Sequence, residues 1–191
     1  PVPPPFGDEG AANHMRLAAR HDAPGVEIFV YGIASGGFPA RQHPDASAAI
    51  ARRHQLDPAR TLFVQQSEEA IAAGAFHNDV VAVGNGNVLF AHEHAFAEKE
   101  RFYADLRRTL PQVEIVEVPA ATPSVRSPLK AARAVVTLGR SLASAAKAIR
   151  RLNPAVVVGF GGYPTVPPVL AATLMRVPTV LHEQNAVMGR A

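Results

Sequence analysis

The sequence predicts an α/β chain assembled from two unlike parts, on three observations. Short apolar runs with strand character, at residues 26–31, 61–64 and 113–118, alternate with longer segments of helical periodicity. Charge divides unevenly: residues 1–119 hold 10 Lys+Arg against 15 Asp+Glu, a net of −5, whereas residues 120–191 hold 9 Lys+Arg against Glu183 alone, a net of +8. Between them, Pro119, Pro123 and Pro128 mark a linker that interrupts both helix and strand.

Taken in order, residues 1–5 are a proline-rich, extended lead-in. Asp8 can cap a helix expected over residues 9–21, which Ala23-Pro24-Gly25 stops. Val26–Tyr31 is apolar at nearly every position, so a buried strand is expected there. Ser35-Gly36-Gly37 is a flexible loop, and Pro44 opens a helix to about Gln55, because proline suits a first helical turn. Asp57-Pro58 turns the chain into the strand at 61–64, and Ser67, Glu68 and Glu69 start a short helix ending at Gly74. The stretch Ala75-Phe76-His77-Asn78-Asp79 then enters a buried strand at 80–83. In extended chain, residues two apart share a face, so His77 and Asp79 are expected to act together in one cleft.

Gly84-Asn85-Gly86-Asn87 is a hairpin signal, since glycine and asparagine tolerate positive φ, and Val88-Leu89-Phe90 pairs back. A helix over 95–110 and a strand over 113–118 follow. Beyond the linker, a helix over 127–152 places Leu138, Leu142, Ala145, Ile149 and Leu152 on one stripe, and Lys130, Arg133, Arg140, Lys147, Arg150 and Arg151 make it basic. A buried strand at 156–158, the glycine-rich turn Gly159-Phe160-Gly161-Gly162-Tyr163, a helix over 166–175 and a strand at 179–181 complete a β-α-β unit.

Composition narrows the chemistry. At 191 residues and 48% hydrophobic content, the chain can form one ordinary domain or two small ones with a real core. With no cysteine, these residues supply no disulfide, thiolate nucleophile or Cys-ligated zinc. No apolar run reaches about 18 residues, so no membrane span is expected. No signal peptide is expected either, and Pro1 in first place suggests a trimmed amino end. The pI near 9.7 belongs to the second part of the chain, and no stacking aromatics interleave its basic residues, so a nucleic-acid partner is not expected. His92-Glu93-His94 with His77 lacks the His-Glu-x-x-His spacing of a helical metal site, so neither metal nor cofactor is expected.

The segments Gly7-Asp8-Glu9-Gly10-Ala11-Ala12-Asn13-His14, Phe38-Pro39-Ala40-Arg41-Gln42 and Phe76-His77-Asn78-Asp79-Val80 resemble N-succinylarginine dihydrolase, a pentein with an α/β-propeller fold. Gln65-Gln66 and His92-Glu93-His94-Ala95-Phe96 extend the likeness, which covers residues 7–118. The resemblance implies hydrolysis of succinylarginine to succinylornithine, ammonia and carbon dioxide in arginine catabolism. It implies catalytic roles for Glu9 and His77, a guanidinium partner in Asp79 and a carboxylate anchor in Arg41. The family's nucleophile is a cysteine near its carboxyl end, which no residue here supplies, and Ala72 stands where the family is expected to carry an aspartate.

A second likeness covers residues 120–191. Asn153-Pro154-Ala155-Val156-Val157-Val158-Gly159-Phe160-Gly161-Gly162-Tyr163-Pro164 and Leu181-His182-Glu183-Gln184-Asn185-Ala186-Val187-Met188-Gly189-Arg190 resemble the lipid II-forming N-acetylglucosaminyltransferase of peptidoglycan synthesis. That resemblance implies part of the Rossmann-like amino-terminal domain of a GT-B enzyme using UDP-N-acetylglucosamine, with Tyr163, His182, Glu183 and Asn185 as sugar-nucleotide residues. The basic helix at 127–152 either covers a core or offers a peripheral contact with anionic membrane.

The expected architecture is therefore a partial pentein-like propeller piece at 1–118, a junction at 119–126 and a partial Rossmann-like piece at 127–191. The expected function is that of a dihydrolase-derived hydrolase fragment, acting on guanidino C–N bonds, joined to a glycosyltransferase (hexosyltransferase) fragment. Turnover by the isolated chain is not expected. The alternatives are the glycosyltransferase activity itself, or a non-catalytic chimeric or artefactual chain. The expected location is cytoplasmic, free or peripheral on the inner membrane face.

Overall fold

A computed structural model describes residues 3–7, 13–33, 37–119, 128–160 and 165–182, without the side chains of Pro4 and of 128–135. It is a mixed α/β structure with three small sheets, dividing into two compact units, Pro1–Val116 and Glu117–Ala191.

In the first unit, strand β1 (His14–Leu17) runs antiparallel to β2 (Val26–Tyr31), and β2 runs parallel to β3 (Thr61–Gln65). The helix expected over 9–21 is absent at its centre, where residues 14–17 form β1. The physical reason lies in His14-Met15-Arg16-Leu17, which alternates polar and apolar. Leu17 is fully buried, while His14 and Arg16 share the outer face with Glu27 on β2, at 2.9 and 3.2 Å. Pairing with β2 outweighs the modest helix propensity of the alanine-rich flanks.

Helix α1 (Pro44–Arg53) connects β2 to β3, as its proline start predicts. Asp57 caps a 3-10 turn at Pro58–Arg60, leading into β3. Helix α2 (Glu68–Ala72) starts where Ser67 Oγ accepts from the Ala70 N–H at 3.4 Å. Residues 78–80 then form a 3-10 turn, and strand β4 (Ala82–Asn85) begins later than expected. Val80 and Val83 are 44% and 49% exposed, so the apolar run is not a wholly buried strand.

Strand β5 (Val88–His92) returns antiparallel to β4 through a two-residue turn at Gly86 and Asn87, with Gly86 at φ +56°. Gly84 lets this hairpin approach β1: a Cβ there would lie 2.7 Å from Leu17 Cδ2. Helix α3 (Lys99–Thr109) and strand β6 (Glu114–Val118) follow, β6 lying beside β5. The core joins Leu17, Val26, Ile28 and Val30 to Leu89, Phe96, Phe102 and Leu106.

In the second unit, helix α4 (Pro128–Leu152) packs against α5 (Val166–Leu174) through Ala145, Ile149, Ala171 and Ala172. Strands β7 (Val157–Gly159) and β8 (Thr179–Leu181) pair in parallel on either side of α5, forming the expected β-α-β unit. The strand expected to be buried at 156–158 is not: Val158 is 45% exposed, and Leu181 on β8 is 67% exposed, because a sheet of two strands has too few neighbours for both of its faces to be covered. The stripe on α4 is likewise used only in part, since Leu138 is 45% exposed. Of the junction expected at 119–126, residues 120–126 lie outside the described residues.

Candidate functional site

Two loops of the first unit leave the same end of its parallel strand pair. Arg41 lies on the segment after β2, and His77 lies on the segment after β3 and α2. Ligand crevices in α/β sheets commonly form outside the carboxyl ends of parallel strands. The antiparallel register sets His14 opposite Phe29, so β1 starts at the same end of the sheet.

Each loop is tied to the strand that launches it. Gly32 N–H donates to the Arg41 carbonyl at 2.9 Å, and a Cβ on Gly32 would meet Ala40 Cβ at 3.0 Å, so the close return requires a small residue. On the other loop, the Gln66 side-chain Nε2 donates to the Ala75 carbonyl at 2.5 Å, two residues before His77. Phe38 and Phe76 bridge the two loops with ring centroids 5.8 Å apart, and Phe76 lies 4.9 Å from the His77 ring.

The loops meet where Arg41 Nη1 donates to His77 Nε2 at 2.9 Å, both side chains half-buried. A guanidinium only donates, so His77 Nε2 is the acceptor and the ring proton sits on Nδ1. His77 thus presents an unprotonated imidazole nitrogen to a cation, an arrangement suited to proton transfer once that cation is engaged elsewhere.

Asp79 is not placed beside His77 by strand alternation. His77 is the extended residue at the start of the 3-10 turn Asn78–Val80, which breaks the two-residue repeat and leaves Asp79 exposed. Asn78, between them, is 2% exposed, and its N–H donates to Asn13 Oδ1 at 3.4 Å. Buried Asn13, Gln66 and Asn78 support the site, and sequence reasoning assigned them no role. Gln65-Gln66 at a strand end was the one available signal. Glu9 lies outside the described residues.

In the second unit, His182 follows β8. Its N–H donates to the Gly159 carbonyl at 2.8 Å, and its exposed ring meets Phe160 edge-on at 5.7 Å. Tyr163, Glu183 and Asn185 lie outside the described residues. Among the described residues, no cluster of three or more His, Cys, Asp or Glu side chains could hold a metal ion, and no helix is long and apolar enough to cross a membrane. A separate cleft of about 290 Å³ lies between β3 and α3, lined by Phe63, Glu98, Arg101 and Asp105 among others, and takes in none of the predicted site residues.

Comparison with known proteins gives two family matches. The family model for succinylarginine dihydrolase matches residues 1–132, and that for the glycosyltransferase family 28 N-terminal domain matches residues 80–191. The two overlap across residues 80–132. The chain is 67% identical over 130 residues to an N-succinylarginine dihydrolase of Sphingopyxis alaskensis, and 62% identical over 129 residues to one of Novosphingobium aromaticivorans; each match covers 68% of this chain and 31% of the relative. An N-succinylarginine dihydrolase of Yersinia enterocolitica is 52% identical over 131 residues, covering 63% of this chain and 29% of the relative. The chain therefore spans about a third of the length of the curated relatives it matches. Among solved structures, Acinetobacter baumannii MurG matches 85% of this chain and 36% of its own, at 21% identity and a TM-score of 0.36, an overlap too weak to specify the fold.

Proposed function

The chain belongs to the succinylarginine dihydrolase family over residues 1–132 and to the glycosyltransferase family 28 N-terminal domain family over residues 80–191; on that premise we propose that residues 1–118 are the substrate-gripping piece of a dihydrolase. The piece comes from an α/β propeller, joined through residues 119–126 to a Rossmann-like glycosyltransferase piece at 127–191. Its substrate class is a guanidino compound carrying carboxylates, as in N-succinylarginine.

The Arg41–His77 hydrogen bond carries this proposal. A substrate carboxylate offers Arg41 a bidentate, charge-matched partner that an imidazole nitrogen cannot equal. Arg41 turns to it, and His77 Nε2 is released to take and return protons during water attack and ammonia departure. Exposed Asp79 pairs with the guanidinium, matching two N–H donors with two oxygens. Glu9 assists His77. The family reaction also needs a thiolate attacking the guanidinium carbon, and none of these 191 residues is a cysteine. The 191-residue chain alone therefore binds its substrate without turning it over.

The test pairs calorimetric titration of N-succinylarginine with an ammonia-release assay. Binding without ammonia is expected. Absence of binding overturns the substrate assignment, and steady ammonia release overturns the assignment of inactivity.

A second reading applies to residues 127–191. The parallel β7–α5–β8 unit, with His182 just past a strand end, supports a remnant of a sugar-nucleotide crevice in which Tyr163, Glu183 and Asn185 join His182. Arg140, Lys147, Arg150 and Arg151 of α4 are assigned to a solvated face, since Ala145 and Ile149 on the same helix cover a core. Titration with UDP-N-acetylglucosamine tests the crevice, and tight binding would show that this piece acts on its own. A genomic read across the codons for residues 110–130 separates a natural fusion from a broken assembly.

A further inference from the structure

We infer that Gln66 is the positioning residue for His77: its buried amide fixes the Ala75 carbonyl and so delivers the His77 imidazole to Arg41. The inference deepens the proposed substrate-gripping role and rests on it only where ligand affinity is read.

Gln66 is fully buried directly after β3, an unusual place for a side chain with four hydrogen-bonding positions. Its main chain is held on two sides. The N–H donates to the Tyr31 carbonyl at the end of β2, at 2.8 Å, and the residue bridges to Phe96. The backbone is therefore as fixed as the sheet itself. From that anchor the side chain reaches nine residues along the chain to the Ala75 carbonyl.

The Ala75 N–H donates to the Ala70 carbonyl at 3.0 Å, so the residue closes the turn after α2 and launches Phe76 and His77. Gln66 Oε1 is buried with no hydrogen-bond partner among the described residues, while the other end of the amide holds Ala75. Leaving a buried acceptor unmade is costly, which marks the Ala75 bond as the contact this amide is there to make. A buried apolar residue would serve packing at this place without that cost. The amide's distinct contribution is the direction of the loop that carries His77.

The experiment uses the 191-residue chain with nitrogen-15-labelled histidine and glutamine. In the unmutated chain, a Gln66 side-chain amide proton is expected to be protected from solvent exchange. A freely exchanging Gln66 amide overturns the inference without any variant. Next, the His77 Nε2 resonance is compared in unmutated chain, Arg41→Lys, Gln66→Met and the double variant. Arg41→Lys is expected to shift it, Gln66→Met is expected to shift it too, and the double variant is expected to add little, because the two side chains act on one contact. Gln66→Glu, which keeps the length but turns an acceptor on Ala75, replaces Gln66→Met should the latter unfold.

A folded Gln66 variant with unshifted His77 signals and a full additional effect of Arg41→Lys overturns the inference. N-succinylarginine affinity is read in parallel, and a rise of up to about tenfold, the size of one net hydrogen bond, is expected for Gln66→Met, because the substrate must break the Arg41–His77 bond to engage Arg41. If the unmutated chain binds no N-succinylarginine, the functional proposal fails while the resonance cycle still decides the role of Gln66.

Discussion

Arg41 Nη1 and His77 Nε2 meet at 2.9 Å across 36 residues of sequence, between loops that leave two adjacent parallel strands. The contact joins the residue assigned to a substrate carboxylate with the residue assigned to proton transfer. Under the proposed function, ligand binding and release of the His77 nitrogen are expected to be a single event.

Replacing Arg41 by alanine removes the cation and leaves His77 Nε2 without its donor. N-succinylarginine affinity is expected to fall tenfold or more, roughly the 1.5–3 kcal/mol of a charged hydrogen bond. Calorimetry reads the loss. Unchanged affinity would remove Arg41 from the site.

No ammonia is expected from N-succinylarginine with the 191-residue chain, and His77→Asn is expected to change nothing in that assay and not to weaken binding, since the substrate displaces His77 from Arg41. The contrast separates gripping from turnover. Release of ammonia that His77→Asn abolishes would require a nucleophile other than a thiol.

Gly84→Ala places a methyl group 2.7 Å from Leu17 Cδ2. Leu17 is fully buried, so it cannot move aside into solvent. A loss of about 1–3 kcal/mol is expected from overpacking, read as a lower urea midpoint with little change in slope.

Ser67→Ala removes the side-chain acceptor for the Ala70 N–H at the start of α2. About 1 kcal/mol of stability is expected to go with it. Because α2 leads to the Ala75 turn, hydrogen exchange should rise first over residues 68–80.

Leu181 is 67% exposed, Leu174 67% and Phe160 60%, and exposed large apolar side chains of this kind promote association. Leu181→Lys with Leu174→Lys is expected to lower light scattering on concentration without lowering helix content. Equal scattering before and after would place the sticky surface elsewhere.

Wherever local chemistry decided, the residues themselves announced the structure. Pro44 at a helix start, Ser67 at a cap, Gly86-Asn87 at a tight turn and the apolar run Val26–Tyr31 each stand where such residues are energetically suited. The same holds for the parallel strand pair around α5. Two misreadings show the limit. Residues 14–17 look helical beside their alanines, yet cross-strand pairing with β2 makes them a strand. His77 and Asp79 look like one face of a strand, yet a 3-10 turn parts them.

The sequence alone determined the membership of two families, the absence of a thiol and the identities of the polar side chains. Only the tertiary structure decided that His77 meets Arg41 rather than Asp79, and that a buried glutamine holds the loop between. The reason is distance along the chain: propensity, capping and alternation act over a few residues, whereas a contact spanning 36 residues exists only after two strands have paired and fixed where their loops emerge.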